Sequence, residues 1–224
     1  MTAGPETQVF ERVAAIGVVP VIAIEKVEHA VPMADALLEG GLSVAEVTFR
    51  TEAAADVMAV LHDRRPELLL GAGTILNPDQ VTRALQAGAT FGLAPGFDPE
   101  VVLAADEAGL PFAPGIMTPS DISLAAARGC RLMKFFPATP AGGPSMLKNI
   151  SAPFAHLGLR FIPTGGVTPE TMKDWLALPQ IAAVGGTWIA KPEDMRAGDW
   201  SGIAAKARDA VARARALRPE GVIA

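Results

Sequence analysis

Short apolar runs recur along the chain, separated by longer stretches in which apolar residues return every three or four positions. The runs are VVPVIAI (18–24), VAEVTFR (44–50), LLLGAGTI (68–75), FGLAPG (91–96), PFAPGIM (111–117), LMKFFPA (132–138), RFIPTGGV (160–167) and IAAVGGTWIA (181–190). Apolar segments of this length, bounded by turn residues, predict buried strands. The stretches between them, such as HAVPMADALLEGG and NPDQVTRALQAGA, predict amphipathic helices. Asn77-Pro78, Asp98-Pro99 and Thr168-Pro169 read as helix starts, because the first residue accepts free amide protons and proline fits the first turn. Gly40-Gly41, Gly88, Gly109 and Gly129 read as helix stops.

Strand–helix units spaced in this way predict a parallel sheet. Eight of them, led by a helix near residues 5–16, predict an α/β fold: a closed (β/α)8 TIM barrel with an extra N-terminal helix. The competing open, doubly wound sheet calls for a glycine-rich fingerprint after the first strand, and GVVPVIAIEK has none. With 224 residues and no linker-like segment, one domain over residues 1–224 is expected.

Composition narrows the partners. No apolar stretch is long enough to span a bilayer, and MTAGPETQVFERV lacks the basic and apolar regions of a secretory signal, so a soluble cytoplasmic protein is expected. Cys130 is the only cysteine, which rules out an intrachain disulfide. The formal charge of −5 comes from mixed acids and bases, without the basic stripe that would mark a nucleic-acid partner. The arginines of ARDAVARARALR fall opposite Ile203, Ala207, Val211 and Ala214, as on the wet face of a terminal helix.

Against that background Lys134 stands out. It lies between Leu132-Met133 and Phe135-Phe136, where an ammonium group loses its water, a cost that calls for pairing or neutralisation. Strand alternation places Val44, Glu46, Thr48 and Arg50 on one face of the second strand. It places Leu132, Lys134 and Phe136 together on the sixth. Turned inward, these faces bring an amine, a carboxylate and a guanidinium into one interior. Thr74 joins them from the C-terminal end of the third strand, where the active sites of this fold lie. Glu46 and Arg50 are about 13 Å apart along an extended strand, so they meet one ligand only if Arg50 folds back. A buried Lys–Glu pair can be purely structural, and Phe135 and Phe136 read as packing. Convergence of three such groups at one end favours chemistry.

Strands seven and eight end in PTGGV (163–167) and VGGTW (184–188). Glycine pairs allow close backbone approach to an anion, and each pair is expected to precede a helix start, in the loops where this fold commonly binds phosphate. A desolvated amine attacks a ketone to give a Schiff base, a nearby carboxylate moves protons, and an arginine grips a carboxylate with two hydrogen bonds. The parts together suit aldol cleavage of a phosphorylated 2-keto acid without a cofactor. His29, His62 and His156 show no metal-ligand spacing, so no metal is expected.

At these residues the chain resembles the 2-keto-3-deoxy-6-phosphogluconate (KDPG) aldolase family, also called the 4-hydroxy-2-oxoglutarate (KHG) aldolase family. VVPVI, EHAVPMADALLEGG, EVTFRT, GAGTILNP, APG, PGIMT, KFFPA, PTGGV and GGTW occur in the family's order over nearly the whole chain. The resemblance implies Lys134 as the Schiff-base residue, Glu46 as proton shuttle, and Arg50 and Thr74 on the pyruvate half, with Pro95 beside the site. It implies phosphate binding by Gly165, Gly166 and Thr187, and a metal-free homotrimer. Thr187 stands where well-known members carry serine, retaining the hydroxyl. Relatives acting on the galactonate epimer lack the counterpart of Arg50, so the resemblance points to the gluconate substrate. KHG cleavage to pyruvate and glyoxylate, and a non-catalytic barrel that senses a sugar phosphate, are the competing functions.

Overall fold

The computed structural model describes residues 5–218. Its α/β fold is built on curled parallel sheet. Strands β1 (Val18–Ile22), β2 (Val44–Thr48), β3 (Leu69–Gly73), β4 (Phe91–Leu93), β5 (Phe112–Ala113) and β9 (Val184–Gly186) form a six-stranded sheet in the order β5-β4-β3-β2-β1-β9. Strands β6 (Gly115–Ile116), β7 (Leu132–Phe135) and β8 (Arg160–Pro163) form a second, in the order β6-β7-β8. Every pairing is parallel. Nearly every strand residue is buried, which explains why the strands read as continuous apolar runs rather than alternating ones.

All eight apolar runs contain a strand, but the ladders stop short of the runs' C-terminal ends. The run at 111–117 is also broken: Pro114 cannot donate to a ladder, and it divides β5 from β6 while its carbonyl accepts from Lys134 N at 2.8 Å. Two isolated parallel bridges, Phe161 with Ile181 and Thr164 with Gly185, run beside β8 and β9.

Helix α1 (Pro5–Ile16) covers the N-terminal ends of the strands. Phe10 packs edge-on to Phe91 at 6.2 Å, and Glu11 accepts from Arg160 at 3.0 Å. The helices that follow are α2 (Ala30–Glu39), α3 (Ala54–Arg64), α4 (Pro78–Gln86), α5 (Pro99–Glu107), α6 (Pro119–Ala127) and α7 (Gly143–Ser151). The two caps expected at Asn77 and Asp98 are present: Asn77 accepts from Gln80 N, and Asp98 accepts from Glu100 N and Val101 N. A third such start, at Thr118-Pro119, closes a reciprocal capping box with Asp121. Gly41, Gly88, Gly109 and Gly129 follow helices with left-handed φ.

The expected start at Thr168-Pro169 differs. Helix α8 runs only over Met172–Leu176, because Thr168 and Thr171 exchange hydrogen bonds and close a turn before the helix begins. After α9 (Pro192–Ala197), helix α10 (Trp200–Leu217) buries Ile203, Ala204, Ala207, Ala210, Val211 and Ala214. This stripe contains the four residues anticipated from the sequence. Just past α10, the Arg218 guanidinium donates to the carbonyls of Leu176, Ile181 and Ala182, tying that residue to the segment leading into β9. No helix among the described residues is long and apolar enough to cross a membrane.

Candidate active site

Lys134 and Glu46 are among the very few buried polar side chains, with relative exposures of 4% and 0%. They come from different sheets and are 88 residues apart in sequence, yet Lys134 Nζ lies 2.7 Å from Glu46 Oε1. Each is presented from the middle of its strand. Glu46 pairs in register with Val21 and Gly71, and Lys134 with Gly115 and Ile162. Gly73 makes space for Glu46, and Gly115, beside Lys134, makes space for Pro95. An ideal Cβ on Gly73 would sit 2.2 Å from Glu46 Oε1, and one on Gly115 would sit 2.1 Å from the Pro95 carbonyl carbon. Gly73→Ala is therefore expected to lose about 1–3 kcal/mol of stability through overpacking, to be read as a lower urea midpoint with an unchanged m-value.

Lys134 Nζ also stands 5.9 Å from the centre of the Phe136 ring, which is 36% exposed, whereas Phe135 packs against Trp175 at 6.1 Å. The two phenylalanines, both read from sequence as packing, thus divide between an outer core contact and the lysine. Glu46 Oε2 is buried and has no hydrogen-bond partner among the described residues. A buried carboxylate oxygen without a donor is costly, so it marks a position where a water, a substrate hydroxyl or a transferable proton fits.

Arg50 lies past the end of β2 and is exposed. Its Nε donates to Thr48 Oγ1 at 3.3 Å, so the side chain bends back along its own strand. Thr48 itself is buried, and its hydroxyl donates to Ile22 O at 3.1 Å. Thr74 follows β3 with φ 61°, the one non-glycine residue with positive φ among those described. Such a conformation costs on the order of 1–3 kcal/mol and is characteristically retained where it positions a functional group. Pro95 is half-buried, and its carbonyl group presses on Gly115, the register partner of Lys134.

Gly165 and Gly166 have φ of 97° and 76°, a conformation open to glycine and rare for other residues. Thr164 pairs with Gly185, so the loop holding Gly165-Gly166 and the loop holding exposed Thr187 leave neighbouring positions. The second glycine pair departs from expectation. Gly185 and Gly186 lie within β9, where a Cβ would meet Thr164 Oγ1 at 2.1 Å and the Trp188 ring at 2.7 Å. Packing against Thr164 and Trp188 calls for glycine at both positions. Neither pair runs directly into a helix: α8 starts at Met172 and α9 at Pro192.

Sequence reasoning gave no role to Thr48 or Gly73. Thr48 was detectable as the next inward position after Glu46, whereas Gly73 becomes meaningful only once β3 is placed beside β2. The histidines lie on helical turns or helices, and among the described residues no three His, Cys, Asp or Glu side chains gather as a metal site.

A sequence model described as KDPG and KHG aldolase matches residues 9–206. The KHG/KDPG aldolase of Escherichia coli K12 is 44% identical over 198 residues, covering 88% of this chain and 92% of that protein. Among solved structures, KDPG aldolase from Legionella pneumophila, with pyruvate captured at low pH as a covalent carbinolamine intermediate, superposes with a TM-score of 0.85. It is 38% identical, with 93% of this chain and 98% of that one covered. The Zymomonas mobilis ZM4 2-keto-3-deoxy-6-phosphogluconate aldolase with 3-phosphoglycerate gives a TM-score of 0.83 at 35% identity, covering 91% of this chain and 95% of that one. The fold and these matches define an α/β enzyme of the aldolase class. The chain belongs to the KDPG and KHG aldolase family.

Proposed function

We propose that this chain is a class I aldolase that cleaves 2-keto-3-deoxy-6-phosphogluconate to pyruvate and D-glyceraldehyde 3-phosphate. The observation that carries this reading is the buried contact of Lys134 Nζ with Glu46 Oε1 at 2.7 Å. Proton transfer across that contact to Glu46 leaves Nζ free to attack the C2 ketone of the substrate, giving a carbinolamine. Glu46 returns the proton to the carbinolamine hydroxyl, which leaves as water and gives an iminium beside an ionised Glu46. Glu46 then accepts the C4 hydroxyl proton, directly or through a water at Oε2. The C3–C4 bond breaks and its electron pair moves to the iminium, which releases the aldehyde and leaves an enamine. Return of the proton to the enamine carbon and hydrolysis of the resulting iminium free pyruvate and restore the amine.

In this reading Arg50 and Thr74 hold the carboxylate end, Pro95 walls the site beside Lys134, and the backbone of Gly165-Gly166 with the Thr187 hydroxyl receives the phosphate. The left-handed glycines and the adjacency of the two loops support that last assignment. The two sheets are read as parts of one closed (β/α)8 barrel. The bridges beside β8 and β9, the continuity of β5 into β6 through Pro114, and a hydrogen bond spanning the interior from β2 to β7 support the closure. The barrel is taken as a single domain over residues 1–224, assembling as a cytoplasmic homotrimer of the kind the family resemblance implies.

KHG cleavage is the second reading, favoured by the double name of the Escherichia coli relative. Both reactions pass through the same pyruvate adduct. Borohydride treatment with pyruvate is expected to add one reduced pyruvate per chain, located on Lys134 by peptide mass spectrometry. An unchanged mass, with sugar-phosphate binding retained, would establish the non-catalytic sensor instead.

A further inference from the structure

The segment around Arg50 is fastened more firmly than a loop end requires. Thr48 Oγ1 donates to Ile22 O at 3.1 Å and Thr51 Oγ1 donates to Ile24 O at 2.7 Å, so two hydroxyls tie the residues flanking Arg50 to the end of β1. From the other side, Phe49 N donates to Gly73 O at 2.7 Å. A threonine hydroxyl has one proton, and that of Thr48 is committed to Ile22 O, so toward Arg50 its oxygen acts only as an acceptor. A hydroxyl that is already donating is polarised into a stronger acceptor. Arg50 Nε meets it at 3.3 Å, and among the described residues the two Nη groups have no hydrogen-bond partner.

We infer that Thr48 is a positioning residue that fixes which edge of the Arg50 guanidinium reads the substrate. The inference rests on the aldolase reading. With Nε–H engaged, the side-on edge formed by Nε and one Nη is closed to a carboxylate. The two Nη groups then present the remaining two-pronged edge, and the pyruvate carboxylate is met end-on. Thr48 touches no substrate in this arrangement and acts through Arg50.

The test is the pyruvate dependence of borohydride trapping in the full chain. Thr48→Val keeps the side-chain shape and removes both the acceptor toward Arg50 and the donor to Ile22 O. It is expected to raise the half-saturating pyruvate concentration roughly tenfold, the size of one charge-assisted hydrogen bond, while adduct formation at saturation stays at the parent level. Thr48→Ser is expected to restore the parent half-saturation. In an Arg50→Ala background, Thr48→Val is expected to add nothing. A purely structural hydroxyl would give the opposite pattern, a penalty on half-saturation that persists without Arg50, since loss of the donor to Ile22 O lowers the melting temperature in either case. Parent-like half-saturation in Thr48→Val, or an equal shift on top of Arg50→Ala, overturns the inference. If valine prevents folding, Thr48→Ala is compared in the same two backgrounds. Loss of the adduct in the parent itself defeats the aldolase reading and this inference with it, whereas a normal parent with a silent Thr48→Val defeats only the inference.

Discussion

Lys134→Ala is expected to reduce KDPG turnover by on the order of 10⁴-fold or more, the scale seen when a covalent nucleophile is removed. The reason is specific to the site. No other lysine side chain among the described residues is buried, and Lys134 Nζ is the amine beside the fully buried carboxylate of Glu46. In the proposed mechanism there is then no iminium to take the electron pair of the breaking carbon–carbon bond, and Arg50, Thr74 and the loop at Gly165-Gly166 would be left to bind substrate without cleaving it. Steady-state assay of pyruvate release measures the loss, and borohydride trapping should give no adduct. Far-UV circular dichroism at the assay temperature establishes that the variant is folded. Turnover within tenfold of the parent would remove Lys134 from the chemistry altogether.

The pair behind that expectation was legible because alternation is a local rule. Glu46 and Lys134 each occupy an inward position within a short apolar run, and a parity argument needs no knowledge of the partner strand. The same rule took Arg50 inward with Glu46, but the β2 ladder ends at Thr48. Arg50 reaches back through a hydrogen bond to Thr48 rather than through strand geometry. Residues leaving the C-terminal ends of the strands are as apolar or glycine-rich as the strands themselves, so composition does not show where pairing stops. The split at Pro114 follows from the missing amide proton and was available in the sequence. Other features are non-local. Gly73 is required by a glutamate on the neighbouring strand, and Gly185 makes room for Thr164 from β8's end. Glycine pairs therefore looked alike at 165–166 and 185–186, although only the first adopts the left-handed backbone suited to an exposed turn. At Thr168 the capping signal was genuine in kind, but it was spent on a turn with Thr171.

Stability should separate a pair kept for chemistry from one kept for folding. Removing one member of a buried ion pair strands the other, which costs about 3–5 kcal/mol, so Lys134→Met and Glu46→Leu are each expected to lower the unfolding free energy by that amount. Among the described residues Lys134 is the one hydrogen-bond partner of the Glu46 carboxylate, so the protein's own side chains offset its desolvation through that contact. The double variant Glu46→Leu with Lys134→Met replaces both groups by apolar side chains of similar length in an enclosure with few other polar side chains. It is expected to recover the parent's stability or exceed it by roughly 1–4 kcal/mol, while remaining inactive. Urea unfolding of the four proteins closes the cycle, provided the m-values agree. A double variant that stays as unstable as each single variant would mean that the contact between Lys134 and Glu46 holds the fold together, whereas losses that simply add would mean that the two groups act independently. Recovery of stability without activity would show that the fold tolerates the pair at a cost, and that the reaction is what requires a lysine and a glutamate 2.7 Å apart in a dry interior.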